Sequence, residues 1–198
     1  MMKIALTGGI ATGKSYVLGL FRRRGVPCLD ADELAHGVIS AGTEATTAIA
    51  ARFGAEFLAS DGSVDRKKLG PVVFADPAAR RELEAIVHPA VHRAIAAGMR
   101  GFELLGDPLA IVDVPLLYET GAEKGFDRVI VTACTPERQL TRLLERGLTA
   151  DAARHRLDAQ WPTERKAARA DFVIITDGTF EETEKQVDAV FEVLTSSF

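Results

Sequence analysis

Eight residues near the amino terminus, Gly8-Gly9-Ile10-Ala11-Thr12-Gly13-Lys14-Ser15, constrain this chain more than any other stretch. Their spacing is glycine, four residues, then Gly-Lys-Ser, the Walker A pattern. Glycines there let the backbone turn tightly and approach a ligand, because they carry no Cβ and accept positive φ. Successive N–H groups then face one concavity and bind phosphate oxygens, helped by the positive end of the following helix. Lys14 is expected at the β- and γ-phosphates and the Ser15 hydroxyl at Mg²⁺. The flanks agree: Lys3 to Thr7 is a short apolar strand pattern, and Tyr16 to Phe21 carries helical spacing. A strand, a loop and a helix in that order form the frame the motif requires. A glycine-rich turn with an incidental lysine is the competing reading, and it leaves the frame unexplained.

The rest of the chain reads as alternating strands and helices. Apolar runs at Ile4 to Thr7, Val26 to Asp30, Leu109 to Val114, Arg128 to Thr132 and Phe172 to Ile175 predict five strands. Most are continuous rather than alternating, as suits parallel strands covered on both faces. Helices are predicted at Tyr16 to Arg24, at about Ala90 to Leu105, and at Pro136 to Arg146 behind the N-cap Thr135. A last helix starts at Thr179, with Glu182 completing a capping box. Its expected buried stripe is Phe180, Val187, Val190, Phe191 and Leu194; that of the 90–105 helix is Val91, Ile95, Met99, Phe102 and Leu105. The expected fold class is α/β, a three-layer P-loop kinase fold with a five-stranded parallel sheet.

Two intervals interrupt the alternation. Residues 31–105 show only helical pattern and a turn at Ser60-Asp61-Gly62, and residues 136–169 are helical and arginine-rich. The expected organisation is a single domain over 1–198, with its core at about 1–30, 106–135 and 170–198. The first interval is read as a helical acceptor-binding insertion over the carboxyl ends of the strands, the second as a helical lid.

Composition narrows the class further. At 198 residues the chain can bury one sizeable core, and 47% hydrophobic with 26% charged residues is ordinary for a globular protein. A net charge of −4 offers no broad basic field, so nucleic acid is not an expected partner. Cys28 and Cys134 sit in or beside apolar runs and read as small buried hydrophobes of a reducing compartment. No signal-peptide core precedes Gly8 and no apolar run is long enough to span a bilayer, so a cytoplasmic protein, a monomer or small homo-oligomer without a membrane partner, is expected.

Several residues outside the loop could carry chemistry. Asp30-Ala31-Asp32 closes the second strand, where carboxylates face the ligand crevice of an open α/β sheet. One would orient an attacking hydroxyl and accept its proton; the other would cap the next helix. Asp30 is nearer the capping role, and Asp32 is read as the base. Asp113 ends an apolar strand as a Walker B aspartate does, which suggests a link to Mg²⁺, with a loop cap as the alternative. Tyr118 and Glu119 follow in a loop and are possible acceptor contacts. Arg138, Arg142 and Arg146, at i, i+4 and i+8, share a helix face suited to clamping phosphates. For Arg138 a solvated face is the better reading, while Arg156 and Gln160 repeat the theme. His88-Pro89 reads as a turn between two helical segments, with acceptor contact as its other reading.

Taken together, the chain resembles the dephospho-CoA kinase family over nearly its whole length. The resemblance rests on Leu6 to Ile10 and Gly13-Lys14-Ser15, on Gly25-Val26-Pro27 leading to Asp30-Ala31-Asp32, and on Ile86-Val87-His88-Pro89. It continues through Val114 to Glu119, Gln139 with Arg142 and Arg146, Gln160, and Ala170 to Ile174. It implies transfer of the ATP γ-phosphoryl group to the 3′-hydroxyl of dephospho-CoA, the last step of coenzyme A synthesis. It further implies that Gly8 to Ser15 and neighbouring Tyr16 hold ATP with Arg146, that Asp32 is the base, and that Arg142 stabilises charge on the phosphoryl group. Lys14 completes the expected catalytic set, and Ser15 with Asp113 the expected Mg²⁺ ligands. Three positions depart from the family pattern. Ala11 stands where glycine is usual, which implies a less adaptable loop. Tyr16 replaces a small or hydroxylic residue and implies crowding beside the α-phosphate. Thr176 stands where an asparagine near the adenine is common. Another P-loop small-molecule or nucleoside kinase is the nearest alternative, and a nucleotide-dependent switch the more distant one.

Overall fold

The computed structural model describes residues 1–196; Ser197 and Phe198, which the expected core boundary includes, lie outside the described residues. In chain order the strands are β1 (Met2–Gly8), β2 (Cys28–Asp30), β3 (Leu109–Asp113), β4 (Arg128–Ala133) and β5 (Phe172–Ile175). The helices are α1 (Lys14–Arg23), α2 (Ala31–Val38), α3 (Glu44–Phe53), α4 (Arg66–Ala75), α5 (Pro77–Leu104), α6 (Pro136–Glu145), α7 (Ala150–Asp158), α8 (Thr163–Ala167) and α9 (Phe180–Thr195). Among the described residues the strands form one five-stranded parallel sheet in the order β2-β3-β1-β4-β5. The chain divides into two compact units, Met1–Cys28 with Phe102–Phe198, and Leu29–Gly101.

In the first unit, β1 lies at the centre and is fully buried from Ile4 to Gly8. Side chains of a strand alternate between faces, and the core divides accordingly. Ile4 and Leu6 join Val17, Leu20 and Phe21 of α1 and Val187 and Leu194 of α9. Ala5 joins Val129, Val131, Leu117 and Tyr118, with Ala167 of α8 against them. Helices therefore cover both faces, which is why the strands read as unbroken apolar runs. A smaller cluster joins Ile10 and Ala11 of the glycine-rich loop to Leu143 of α6 and Ala153 of α7. The second unit has its own core at Ile49, Val64 and Leu69. The expected turn is there, with Gly62 at φ 82° and Leu58 bridged antiparallel to Val64. No helix among the described residues is long and apolar enough to cross a membrane.

Thr179 and Glu182 form the expected capping box. Three expectations need correction. Phe180 is 73% exposed rather than part of the α9 stripe, and Leu105 is 81% exposed beyond the end of α5. His88-Pro89 is not a turn, since α5 runs through it from Pro77 to Leu104. A proline in a helix interior lacks an N–H and crowds the carbonyl four residues back. Here Ala85, His88 and Pro89 are all exposed, so the freed carbonyl of Ala85 can turn to water. Replacing Pro89 by alanine restores that hydrogen bond, against the extra freedom the unfolded chain regains. Pro89→Ala is expected to stabilise the protein by about 1–2 kcal/mol, seen as a higher unfolding midpoint in calorimetry. A lower midpoint would mean that the packing of α5 needs the proline.

Candidate active site

The loop from Gly8 to Ser15 turns with Gly13 at φ 81° and Ala11 at φ 61°. Ala11 is the single non-glycine residue with positive φ among those described, at a position where L-residues are strained. Gly8 has no room for a side chain, because a Cβ would lie 2.7 Å from the Thr132 carbonyl oxygen and 2.3 Å from Thr132 Oγ1. A Cβ on Gly9 would meet Thr163 Oγ1 at 2.4 Å and Gln139 Nε2 at 2.6 Å.

Five successive carbonyls of this loop accept hydrogen bonds from side chains. Lys166 Nζ donates to Gly8 O at 3.5 Å, and Thr12 Oγ1 to Gly9 O at 2.8 Å. Gln139 Nε2 donates to Ile10 O at 2.6 Å, and Arg142 Nη1 to Ala11 O at 3.0 Å. Thr176 Oγ1 donates to Thr12 O at 2.8 Å. In a planar trans peptide the carbonyl and the next N–H point in opposite directions. Fixing these carbonyls therefore turns the N–H groups of Gly9, Ala11 and Gly13 to the other side of the loop. The Ile10 N–H instead donates to Gln160 Oε1 at 2.8 Å.

Lys14, the first residue of α1, places its ammonium 2.5 and 2.6 Å from the two oxygens of Asp113. Asp113 ends β3 beside β1, in register with Leu6, and its side chain is 2% exposed. The expected phosphate lysine and the expected metal-linked aspartate thus hold each other. Ser15 is exposed one residue further on. The strands bring both partners to the carboxyl end of the sheet, where an α/β fold binds its ligand.

Arg142 is bound to more than the loop. Nη1 also donates to Thr176 Oγ1 at 3.1 Å, and Nη2 to the Thr176 carbonyl at 2.5 Å. These contacts use three of its five N–H groups. Arg138, Arg142 and Arg146 line one cavity of about 810 Å³ together with Gly13 and Tyr16, so the structure does gather the helix-face arginines beside the loop. Tyr16 packs its ring 4.8 Å from that of Phe180 in the same cavity wall. Thr176 is buried and engaged with Thr12 and Arg142. Burial raises the thiol pKa of Cys28 to about 11 and also raises that of Cys134, which keeps both protonated at neutral pH.

In the second unit, Asp30 caps α2, its Oδ1 accepting the N–H groups of Asp32 at 2.8 Å and Glu33 at 3.2 Å. Asp32 is left exposed and lines a separate cavity of about 570 Å³ with His36, Arg66, Ile49, Leu69 and Val87. His88 is exposed on α5.

Tyr118 and Glu119 lie in the expected loop after β3, and both are engaged by other side chains of the protein. Tyr118 is 5% exposed and stacks on Trp161, and Glu119 binds Lys166 at 2.8 Å and the Trp161 N–H at 2.9 Å. Thr163 and Lys166, both in α8, carry no local signal in the sequence. Only three-dimensional contact with the loop distinguishes them.

The family model for dephospho-CoA kinase matches residues 2–182. A dephospho-CoA kinase of Anaeromyxobacter dehalogenans is 51% identical over 182 residues, which cover 91% of this chain and 86% of that protein. The crystal structure of TT1252 from Thermus thermophilus superposes with a TM-score of 0.81 at 34% identity, covering 98% of this chain and 97% of the other. A dephospho-CoA kinase from Campylobacter jejuni gives a TM-score of 0.76 at 28% identity, covering 99% and 98%. With the family model matched from residue 2 to residue 182 and half of the aligned residues shared with the Anaeromyxobacter relative over 91% of this chain, the chain belongs to the dephospho-CoA kinase family.

Proposed function

We propose that this chain, a kinase by family, transfers the γ-phosphoryl group of ATP to the 3′-hydroxyl of dephospho-CoA, releasing coenzyme A and ADP. The observation that carries the reading is the loop Gly8–Ser15, whose carbonyls from Gly8 to Thr12 are held by side-chain donors, with Lys14 and Asp113 paired beside it. In this reading the N–H groups and the start of α1 hold the phosphates. Lys14 leaves Asp113 for the β- and γ-phosphates when ATP arrives, exchanging one anionic partner for another. Asp113 and the Ser15 hydroxyl offer hard oxygen donors of the kind Mg²⁺ prefers. Mg²⁺, when bound there, would neutralise charge on the phosphate oxygens. Arg142 offers its remaining N–H groups to the transferring phosphoryl group, and Arg146 and Tyr16 line the nucleotide cavity.

Residues 31–105 take the acceptor, and their largely apolar cavity suits its uncharged arm, with Arg66 a partner for its diphosphate. Asp32 orients the acceptor hydroxyl and takes its proton; Asp30, committed to capping α2, is unavailable for that role. Residues 136–169 act as the lid, whose closure excludes water that would otherwise accept the phosphoryl group.

Incubation with Mg-ATP and a panel of dephospho-CoA, shikimate and nucleosides tests the reading. ADP is expected with dephospho-CoA, and release with another acceptor instead would replace it by a different small-molecule kinase. Lys14→Ala is expected to reduce kcat by about 10²–10³-fold, and a near-normal rate would remove the lysine from the reaction. Asp32→Asn is expected to lower kcat by about 10²–10⁴-fold while ATP affinity measured by calorimetry stays at the wild-type value. Loss of ATP affinity with kcat intact would show that Asp32 is not the base.

A further inference from the structure

Lys166 has no solvent exposure at all, a rare condition for a lysine, and the reaction read above does not use it. Its ammonium has three N–H groups, and three oxygens surround it. Glu119 Oε1 lies at 2.8 Å, the Pro115 carbonyl at 3.2 Å and the Gly8 carbonyl at 3.5 Å. Glu119 receives the Trp161 N–H on the same oxygen, and its buried Oε2 has no hydrogen-bond partner among the described residues. A carboxylate so placed depends on the ammonium for compensation of its charge.

The positions of the two carbonyls in the chain give this group its importance. Gly8 is the last residue of β1 and opens the loop that leads to Lys14. Pro115 comes two residues after Asp113, just past the end of β3, and its carbonyl also accepts from Thr7 Oγ1 at 3.3 Å. One ammonium therefore ties the end of β1, from which the loop runs to Lys14, to the end of β3, which carries Asp113. Because a trans peptide is planar, a donor on the Gly8 carbonyl also sets the direction of the Gly9 N–H.

We propose that Lys166, held in place by Glu119, is a positioning residue for the triphosphate, acting on ATP through the loops at Gly8 and Pro115. The proposal rests on the ATP site read above. Lys166→Met removes the ammonium at similar volume but strands the Glu119 carboxylate. The double variant Lys166→Met with Glu119→Gln removes both charges and keeps an acceptor for the Trp161 N–H, so it tests the idea even if the single variant does not fold. ATP affinity is read by calorimetry with a non-hydrolysable analogue and Mg²⁺, alongside steady-state KM for each substrate and the unfolding midpoint. The double variant is expected to bind the analogue about tenfold more weakly, with KM for dephospho-CoA unchanged to within about twofold. Glu119→Gln alone, which leaves Lys166 all three acceptors, is expected to lose less. A lowered unfolding midpoint with wild-type ATP affinity would make the pair a mere brace and overturn the proposal. So would equal weakening of both substrates. A wild-type protein that fails to bind the analogue would overturn the ATP site itself, and this inference with it.

Discussion

A loop that turns its N–H groups toward a ligand must turn its carbonyls the other way, and buried carbonyls need donors. That requirement organises much of the first unit. Five consecutive carbonyls, from Gly8 to Thr12, meet donors from Lys166, Thr12, Gln139, Arg142 and Thr176. Three of the donors, Gln139, Arg142 and Lys166, come from the helical segment that follows β4. The stretch expected to close over the ligand is thereby hydrogen-bonded to the back of the phosphate loop. If that stretch closes as the proposed reading has it, its movement would be tied to the shape of the loop through these bonds and through the apolar contacts of Ile10 and Ala11 with Leu143 and Ala153.

The Lys14–Asp113 pair carries the electrostatic side of the same design. With side chains 16% and 2% exposed, neither charge is fully hydrated. Separating such a pair is costly, on the order of 3–5 kcal/mol where both charges are buried. In the proposed reading, an incoming triphosphate would offer Lys14 a second anion and Mg²⁺ would offer Asp113 a second positive partner. Exchange is thus far cheaper than separation. Under that reading the site would favour the two ligands arriving together, because each would relieve the charge that the other displaces.

How much of this could be read from the residues depended on whether the determining interaction was local. The Walker spacing, the apolar strands, the capping box at Thr179 and Glu182 and the cap at Asp30 are all set by residues within a few positions of each other. They were legible. Asp113 was legible as a strand end but not as the partner of Lys14, 99 positions away. Phe180 looked like core because its helical phase fits, yet it sits in the first turn of α9, where it meets Tyr16 rather than the sheet. His88-Pro89 misled for the opposite reason: a strong local signal for a break was overridden because every group it disturbs is exposed. Glu119 and Lys166 were illegible in principle, since burial of both depends on packing across 47 positions of sequence.

Ala11 illustrates how such contacts decide a single residue. Its left-handed backbone costs an alanine about 1 kcal/mol relative to glycine. Against that, burying the methyl group contributes about 0.8 kcal/mol, and an alanine restricts the unfolded chain by a further ~0.4–1 kcal/mol relative to glycine. The methyl is buried, with 7% of the residue exposed, beside Leu143 and Ala153. The two sides are close to balance, so a residue that looks like a defect in a glycine-rich loop is neutral to folding here. What it changes is freedom. The loop is held in its turn by a side chain that glycine would lack, and by an Arg142 bond to the same residue's carbonyl. An alanine at this position therefore trades adaptability for preorganisation, with α6 and α7 supplying the apolar surface that its methyl group packs against.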